Sequence, residues 1–142
     1  MPVLVSISIL AGTLLSLLLA PACIRLASRV GMIDNPAGVP HKIHAAPMPR
    51  AGGLVLLTAA LLVGAATGIL WNEAIATILL ASLPVFAVGV WDDTKGIGAL
   101  PKVSGQLLGG LILIQGGVAT QFLHNPALDY PLTLFWVIGI TN

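Results

Sequence analysis

Long apolar runs constrain this chain more than any other feature. About 20 mostly apolar residues are enough to cross the hydrocarbon core of a bilayer as a helix. Runs of this kind occupy residues 3–22, 51–70, 74–91 and 103–118, and a fifth begins at residue 132 and reaches residue 142. The runs are continuously apolar rather than alternating, which is typical of membrane helices and not of barrel strands.

Composition supports the same class. Of the 142 residues, 57% are hydrophobic and 8% are charged, whereas soluble domains carry about 25% charged residues. We therefore predict an all-α integral membrane protein: a polytopic helical bundle of about five transmembrane helices in a single membrane domain, 1–142. The net charge of +1 gives no reason to expect nucleic acid as a partner. The single Cys23 excludes an internal disulfide.

The basic residues predict the orientation. All six fall in or beside two connections, one after the first run and one after the third: Arg25, Arg29, Lys42, Arg50, Lys95 and Lys102. Loops rich in Lys and Arg stay on the cytoplasmic side of a membrane. Residues 25–50 and 92–102 are therefore predicted to be cytoplasmic loops, with the N-terminus outside.

Two pairs of glycines lie four residues apart within the runs. They are Gly64 with Gly68, and Gly105 with Gly109. Small residues at this spacing let helix backbones approach closely. We interpret both pairs as packing contacts.

The first predicted cytoplasmic loop carries candidate ligand-binding side chains, namely Asp34, Lys42, His44 and Arg50. Arg can contact phosphate with a planar fork and Lys as a point charge. Plainer explanations remain open, because Lys42 and Arg50 could serve topology alone and Asp34 could only begin a turn. Two histidines three residues apart, His41 and His44, are weak support for zinc, which takes three protein ligands in catalytic sites.

The second predicted loop contains the only adjacent acids, Asp92 and Asp93. Carboxylates beside phosphate are the ligands that Mg²⁺ prefers. Neighbouring residues of a helix point about 100° apart, so we expect one acid to hold metal and the other to orient or deprotonate the nucleophile. Lys102 and Gln106 are four residues apart and share a helix face. The plainer alternative is a surface ion pair, Asp92 with Lys95 or Asp93 with Lys102.

These motifs resemble those of a known family, the polyprenyl-phosphate N-acetylhexosamine-1-phosphate transferases. The matching segments are Gly31-Met32-Ile33-Asp34-Asn35-Pro36, His41-Lys42-Ile43-His44, Pro47-Met48-Pro49-Arg50-Ala51-Gly52-Gly53, Gly89-Val90-Trp91-Asp92-Asp93 with Lys102 and Gln106, and Gly139-Ile140-Thr141-Asn142. The segments follow one another in the order typical of the family and fall on one predicted face of the membrane.

The resemblance implies an enzyme that transfers a sugar 1-phosphate from a UDP-N-acetylhexosamine to undecaprenyl phosphate and releases UMP. It implies Mg²⁺ as the cofactor, with Mn²⁺ as an alternative, and a multi-pass protein of the bacterial inner membrane whose active site faces the cytoplasm. The segment around Arg50 is closer to the N-acetylglucosamine branch. Matched residue by residue, the site comprises Asp92 and Asp93 as catalytic and metal-binding residues, with Asp34, Lys42, His44, Arg50, Lys102, Gln106 and Asn142 contacting phosphate or nucleotide.

The chain also departs from the family. Arg is usual at the position of His41, and the family has about twice as many spans, with further Asp and His residues on later loops. The chain is therefore expected to be an N-terminal fragment that is inactive alone. An ion-coupled transporter or channel subunit that uses Asp92 and Asp93 is the alternative function, a scaffold without chemistry is a third, and a homodimer is left open.

Overall fold

The computed structural model describes residues 2–35 and 46–142, and this part of the chain is predominantly helical. Its helices are α1 (Pro2–Val30), α2 (Gly52–Thr67), α3 (Glu73–Lys95), α4 (Ala99–Gln115) and α5 (Pro126–Thr141). A 3₁₀ turn, Ile69–Trp71, precedes α3, and two-residue strands β1 (Ile33–Asp34) and β2 (Met48–Pro49) pair antiparallel. The predicted all-α class is confirmed. The chain divides into two compact units, residues 1–69 and residues 70–142.

Helix α1 continues well past the predicted end of the first span at residue 22. It runs through Arg25 to Val30, so the first connection is shorter than the predicted loop 25–50. The Nε–H of Arg25 donates to the carbonyl of Pro21 at 3.1 Å, and a basic residue near a helix C-terminus interacts favourably with the helix dipole. The helix ends only at Gly31, whose φ of +83° suits glycine.

The second connection is also shorter than predicted, because α3 extends to Lys95 and α4 begins at Ala99. Gly96, at φ 61°, ends α3 by donating its N–H to the carbonyl of Asp92. The range 92–102 is therefore mostly helical, with Asp92 in the last turns of α3 and Lys102 in the first turns of α4. Charge alone therefore does not mark the ends of α3 and α4.

Two helices are long and apolar enough to cross a membrane, α1 over Val5–Val30 and α3 over Glu73–Lys95. Only 6% of each apolar window is buried inside the chain, so these are not core helices of a soluble protein. The remaining helices have 16, 17 and 16 residues, about 24–26 Å at 1.5 Å per residue, which is less than the ~30 Å hydrocarbon core. The chain is a membrane protein, while five spans and an external N-terminus stay predictions.

The close packing of α3 against α4 depends on glycine. A Cβ on Gly105 would lie 2.5 Å from Cγ2 of Val88, and one on Gly109 would lie 2.7 Å from the carbonyl oxygen of Ala81. This pair is a packing contact, as predicted. In the other pair, Gly64 is buried within α2, while Gly68 ends α2 in the left-handed conformation at φ 73°, so a packing role stays a prediction for this pair.

We expect Gly109→Ala to lower the free energy of unfolding by about 1–3 kcal/mol, as overpacking does, because the new methyl group would meet backbone that cannot move aside. Gly139→Ala is the matched control, since no described atom lies within 4 Å of its Cβ position. Alanine there should stabilise the helix by about 0.5–1 kcal/mol. Thermal unfolding of the full-length protein in detergent measures both, and equal midpoints for the two variants would contradict the packing interpretation.

Candidate active site

A small polar cavity of about 190 Å³ lies where α3 ends, α4 begins and α5 ends. Its lining combines apolar helix positions with polar side chains: Val85, Val88, Gly89, Asp92, Lys102, Gln106, Thr141 and Asn142. Four residues predicted from sequence, Asp92, Lys102, Gln106 and Asn142, thus come together from three helices. Their convergence makes this cavity the candidate active site.

Asp92 is held by two different contacts. Its Oδ1 accepts a hydrogen bond from the backbone N–H of Ile97 at 3.0 Å, which caps the turn after α3. Its Oδ2 lies 2.8 Å from Nζ of Lys102, and the two side chains are 27% and 33% exposed. The ion pair therefore differs from both pairs suggested by sequence, because the short turn brings the first turns of α4 beside Asp92.

Gln106 lies one helical turn beyond Lys102 and is only 5% exposed. Its Oε1 is buried and has no hydrogen-bond partner within residues 2–35 and 46–142. A buried acceptor without a donor costs about 1–3 kcal/mol. An unpaired acceptor on the wall of a cavity indicates a position where a ligand can supply the missing donor.

Asp93 does not line this cavity. Helix α3 continues regularly to Lys95, so the side chains of Asp92 and Asp93 leave it about 100° apart. Only Asp92 therefore faces the cavity with Lys102. The suggested division of labour between the two acids stays a prediction.

The donor set of the cavity fits a hydrated magnesium ion. Asp92 offers a carboxylate to the ion, and Gln106 and Asn142 offer amide oxygens that can accept hydrogen bonds from the waters it retains. The described part of the chain contains no group of three or more His, Cys, Asp or Glu side chains that could enclose a metal. Mg²⁺ suits such a sparse set, because it commonly binds through one or two carboxylates, substrate phosphates and several retained waters.

A second cluster of predicted residues lies in the unit formed by residues 1–69. Strand pairing opposes Ile33 to Pro49 and Asp34 to Met48, and the N–H of Arg50 donates to the carbonyl of Met32 at 2.9 Å. This pairing brings Nη2 of Arg50 to 2.9 Å from Oδ1 of Asp34. Two residues proposed separately as ligand contacts are thus neighbours across a short β-bridge.

His41, Lys42 and His44 lie outside the described residues. Their predicted roles in contacting phosphate or nucleotide stay predictions.

A buried carboxylate that was not predicted from the sequence lies where α4 ends and α5 begins, away from the polar cavity. Asp129 is 4% exposed; its Oδ1 accepts from the N–H of Leu123 at 2.9 Å and its Oδ2 from the N–H of Asn125 at 3.0 Å. The sequence does contain a signal, Asn125-Pro126 followed by Asp129. Asn at the N-cap and Pro at the first helical position predict a helix start at Pro126 rather than at residue 132, and Asn125 accepts from the N–H of Ala127.

Comparison with known proteins identifies the relatives of this chain. It is 28% identical to the probable undecaprenyl-phosphate N-acetylglucosaminyl 1-phosphate transferase of Bacillus subtilis, in an alignment that covers 96% of its length. It is 30% identical to the decaprenyl-phosphate N-acetylglucosaminephosphotransferase of Mycobacterium tuberculosis over 82% of its length, and 30% identical to that of Mycolicibacterium smegmatis over 71% of its length.

This chain is homologous to polyprenyl-phosphate N-acetylglucosamine-1-phosphate transferases. The resemblance stated from the motifs is therefore confirmed. No family model and no solved structure matches the chain. The chain spans 40%, 33% and 26% of the lengths of these three relatives. The activity, substrates and partners of the whole protein are therefore proposed below.

Proposed function

We propose that the protein containing these residues transfers N-acetylglucosamine 1-phosphate from a UDP-sugar to a polyprenyl phosphate and releases UMP. The observation that carries the proposal is the cavity in which Asp92, Lys102 and Gln106 meet at the end of apolar helices. It offers a fixed carboxylate, a cation and an amide in a protein homologous to enzymes with this acceptor and sugar in their names.

The reaction forms one bond and breaks one. An oxygen of the lipid phosphate attacks the phosphorus attached to the sugar, and the bond from that phosphorus to the bridging oxygen breaks, so the bridging oxygen leaves with UMP. Both reactants are anions, so neutralisation of charge and positioning provide most of the catalysis. A phosphate monoester with a second pKa near 6 is already largely ionised at neutral pH, which leaves only a modest part for a general base.

Lys102 is the group that would neutralise a phosphate oxygen at the cavity. Its Nζ already contacts an anionic oxygen at 2.8 Å, that of Asp92, and a phosphate oxygen would take the place of this carboxylate oxygen. Asp92 would then be available to a divalent cation, with the oxygens of Gln106 and Asn142 on the same cavity wall. The bound cation would supply positive charge against the diphosphate.

The lipid nature of the acceptor is supported by a second cavity in the same unit. This apolar cavity of about 440 Å³ shares Val85 and Thr141 with the polar one. Apolar side chains such as Phe86, Leu113 and Val137 contribute to its lining. An amphiphile with an anionic head could therefore place its head beside Lys102 and its hydrocarbon in apolar surroundings.

Several finer assignments belong to the same proposal. The donor is a UDP-N-acetylhexosamine, most simply UDP-N-acetylglucosamine, and the acceptor is undecaprenyl or decaprenyl phosphate. Contacts to the nucleotide would come from Asp34, Lys42, His44 and Arg50. The protein would lie in the bacterial inner membrane with its site towards the cytoplasm.

The proposal is tested with the full-length protein in detergent, UDP-[¹⁴C]N-acetylglucosamine and undecaprenyl phosphate. We expect UMP release together with radiolabelled lipid, both abolished by EDTA and restored by Mg²⁺. Omission of the lipid phosphate is the control and should abolish UMP release. No labelled lipid, or UMP release independent of the acceptor, would contradict the proposal.

A further inference from the structure

The side-chain oxygen of Gln106 lacks a hydrogen-bond donor, and the proposed phosphate contacts do not provide one. Its side chain is 95% buried, given its 5% exposure, and it forms part of the wall of the polar cavity. Its Oε1 has no donor among the described residues. Buried side-chain acceptors are nearly always paired, so the missing partner calls for a functional explanation.

The neighbouring groups do not supply that donor. Lys102 Nζ is directed to Oδ2 of Asp92 at 2.8 Å. The N–H of Ile97 donates to the other carboxylate oxygen of Asp92, and the backbone N–H of Asn142 donates to Ile138. None of the hydrogen bonds made by these three groups reaches Oε1 of Gln106.

A phosphate group cannot satisfy Oε1 either. An ionised phosphate presents only acceptor oxygens, and two acceptors do not form a hydrogen bond. The amide nitrogen of Gln106 could contact phosphate, but its oxygen needs an O–H or N–H group. The requirement is therefore for a proton-bearing part of the ligand.

We propose that Gln106 determines specificity by accepting, through Oε1, a hydrogen bond from an O–H or N–H group of the bound substrate complex. This inference rests on the proposed transferase function. Two sources carry this chemistry: a hydroxyl or amide N–H of the transferred sugar, or a water molecule carried by the divalent cation. A buried group that pairs with a substrate O–H or N–H discriminates strongly against analogues lacking it.

The test uses the full-length protein with two substitutions at Gln106, which distinguish the hydrogen-bond acceptor of the side chain from its size. Gln106→Met keeps the length of the side chain and removes the amide, whereas Gln106→Glu keeps acceptor oxygens and removes the donor nitrogen. Gln115→Met is the matched control, because Gln115 is exposed and ends the same helix. Thermal unfolding without ligands is recorded for each variant.

The first arm measures sugar recognition. UDP-N-acetylglucosamine is compared with analogues that lack the C2 acetamido group or the hydroxyl at C3, C4 or C6. If the sugar provides the hydrogen-bond donor to Oε1, the kcat/KM of the wild type should be at least about 10-fold lower with one analogue than with UDP-N-acetylglucosamine. In Gln106→Met this difference should fall to under about 3-fold. Gln106→Glu should keep the preference.

The second arm measures cation binding with Mn²⁺ alone, followed by electron paramagnetic resonance. If the donor is a cation-bound water, Gln106→Met should raise the Kd for Mn²⁺ at least about 5-fold. Gln106→Glu should bind at least as tightly as the wild type, and the sugar preferences should not change. A response in either arm, with Gln115→Met unchanged, supports the inference and identifies the source.

Other outcomes overturn it. Unchanged sugar preference and unchanged Mn²⁺ binding in Gln106→Met would exclude a ligand contact at Oε1. Equal defects in Gln106→Met and Gln106→Glu would show that the amide nitrogen is the important atom. A lower unfolding midpoint for Gln106→Met with both arms unchanged would identify a structural partner for Oε1. The inference fails separately from the transferase proposal, because the latter depends only on acceptor-dependent UMP release by the wild type.

Discussion

Asp92→Asn should lower the rate of UMP release by the full-length protein about 10²–10³-fold, the range typical of removing one group that supports charge stabilisation in the transition state. The substitution removes the negative charge while retaining the shape of the side chain. Its oxygen can still accept from the N–H of Ile97, so the turn after α3 should persist. What is lost is the anionic oxygen that lies 2.8 Å from Lys102 and faces the cavity.

The matched control for Asp92→Asn is Glu73→Gln, which neutralises an exposed acid in the first turn of the same helix. The control should retain wild-type activity within about 2-fold, in keeping with the small effects of most surface substitutions. Both are measured by acceptor-dependent UMP release at saturating Mg²⁺. An Asp92→Asn variant that is folded and retains full activity would remove Asp92 from the proposed mechanism.

Combining Asp92→Asn with Lys102→Met extends this test to the ion pair. If the pair were only a half-exposed surface contact, worth about 0–1 kcal/mol, the double variant would be nearly as active as the wild type. If Asp92 and Lys102 act on cation and phosphate, the double variant should be at least as impaired as either single variant. A double-mutant cycle on kcat/KM distinguishes these two roles.

Asp129→Ala should produce the largest loss of stability, about 2–4 kcal/mol in the free energy of unfolding. The substitution leaves two backbone N–H groups without their acceptor, those of Leu123 and Asn125. Hydrogen bonds to a charged group contribute about 1.5–3 kcal/mol each. The backbone carbonyl of Asp129, which the substitution retains, still accepts from the hydroxyls of Thr120 and Thr133, so the loss comes from the two N–H groups at the start of α5.

Thermal unfolding of the full-length protein in detergent measures this effect. Tyr130→Phe is the control, because it removes a hydroxyl from an adjacent exposed residue and should shift the midpoint little. UMP release per folded molecule should stay near the wild-type value in Asp129→Ala, since Asp129 does not line the polar cavity. An unchanged unfolding midpoint would show that the two backbone N–H groups find other acceptors.

Local patterns predicted much of the candidate site. The spacing of Lys102 and Gln106 placed both on one helix face, and the structure places both on the wall of one cavity. The helix ends predicted from the charge pattern were wrong, because Arg25 and Asp92 lie within helices rather than in loops. Arg25 lies within α1 before its last turn, and the carboxylate of Asp92 accepts the N–H of Ile97 just after α3, so charge alone does not end a helix.

The partner of Asp92 could not be chosen from sequence, because Lys95 and Lys102 both follow it closely in the chain. The choice of Lys102 depends on the turn at Gly96 and on the contact of Gly105 with Val88, which set the distance between α3 and α4. The unpaired Oε1 of Gln106 and the two backbone hydrogen bonds accepted by the carboxylate of Asp129 could not be predicted from sequence either. Both depend on which groups of other segments come within hydrogen-bond distance.

The amino-acid sequence by itself determined the helical membrane class and the residue types able to bind phosphate and a divalent cation, because apolar run length and side-chain chemistry are local properties. Only the tertiary structure decided that Asp92, rather than Asp93, shares a cavity with Lys102 and Gln106. The reason is geometric, since the direction of a side chain at a helix end depends on where that helix stops and on how closely its neighbour packs.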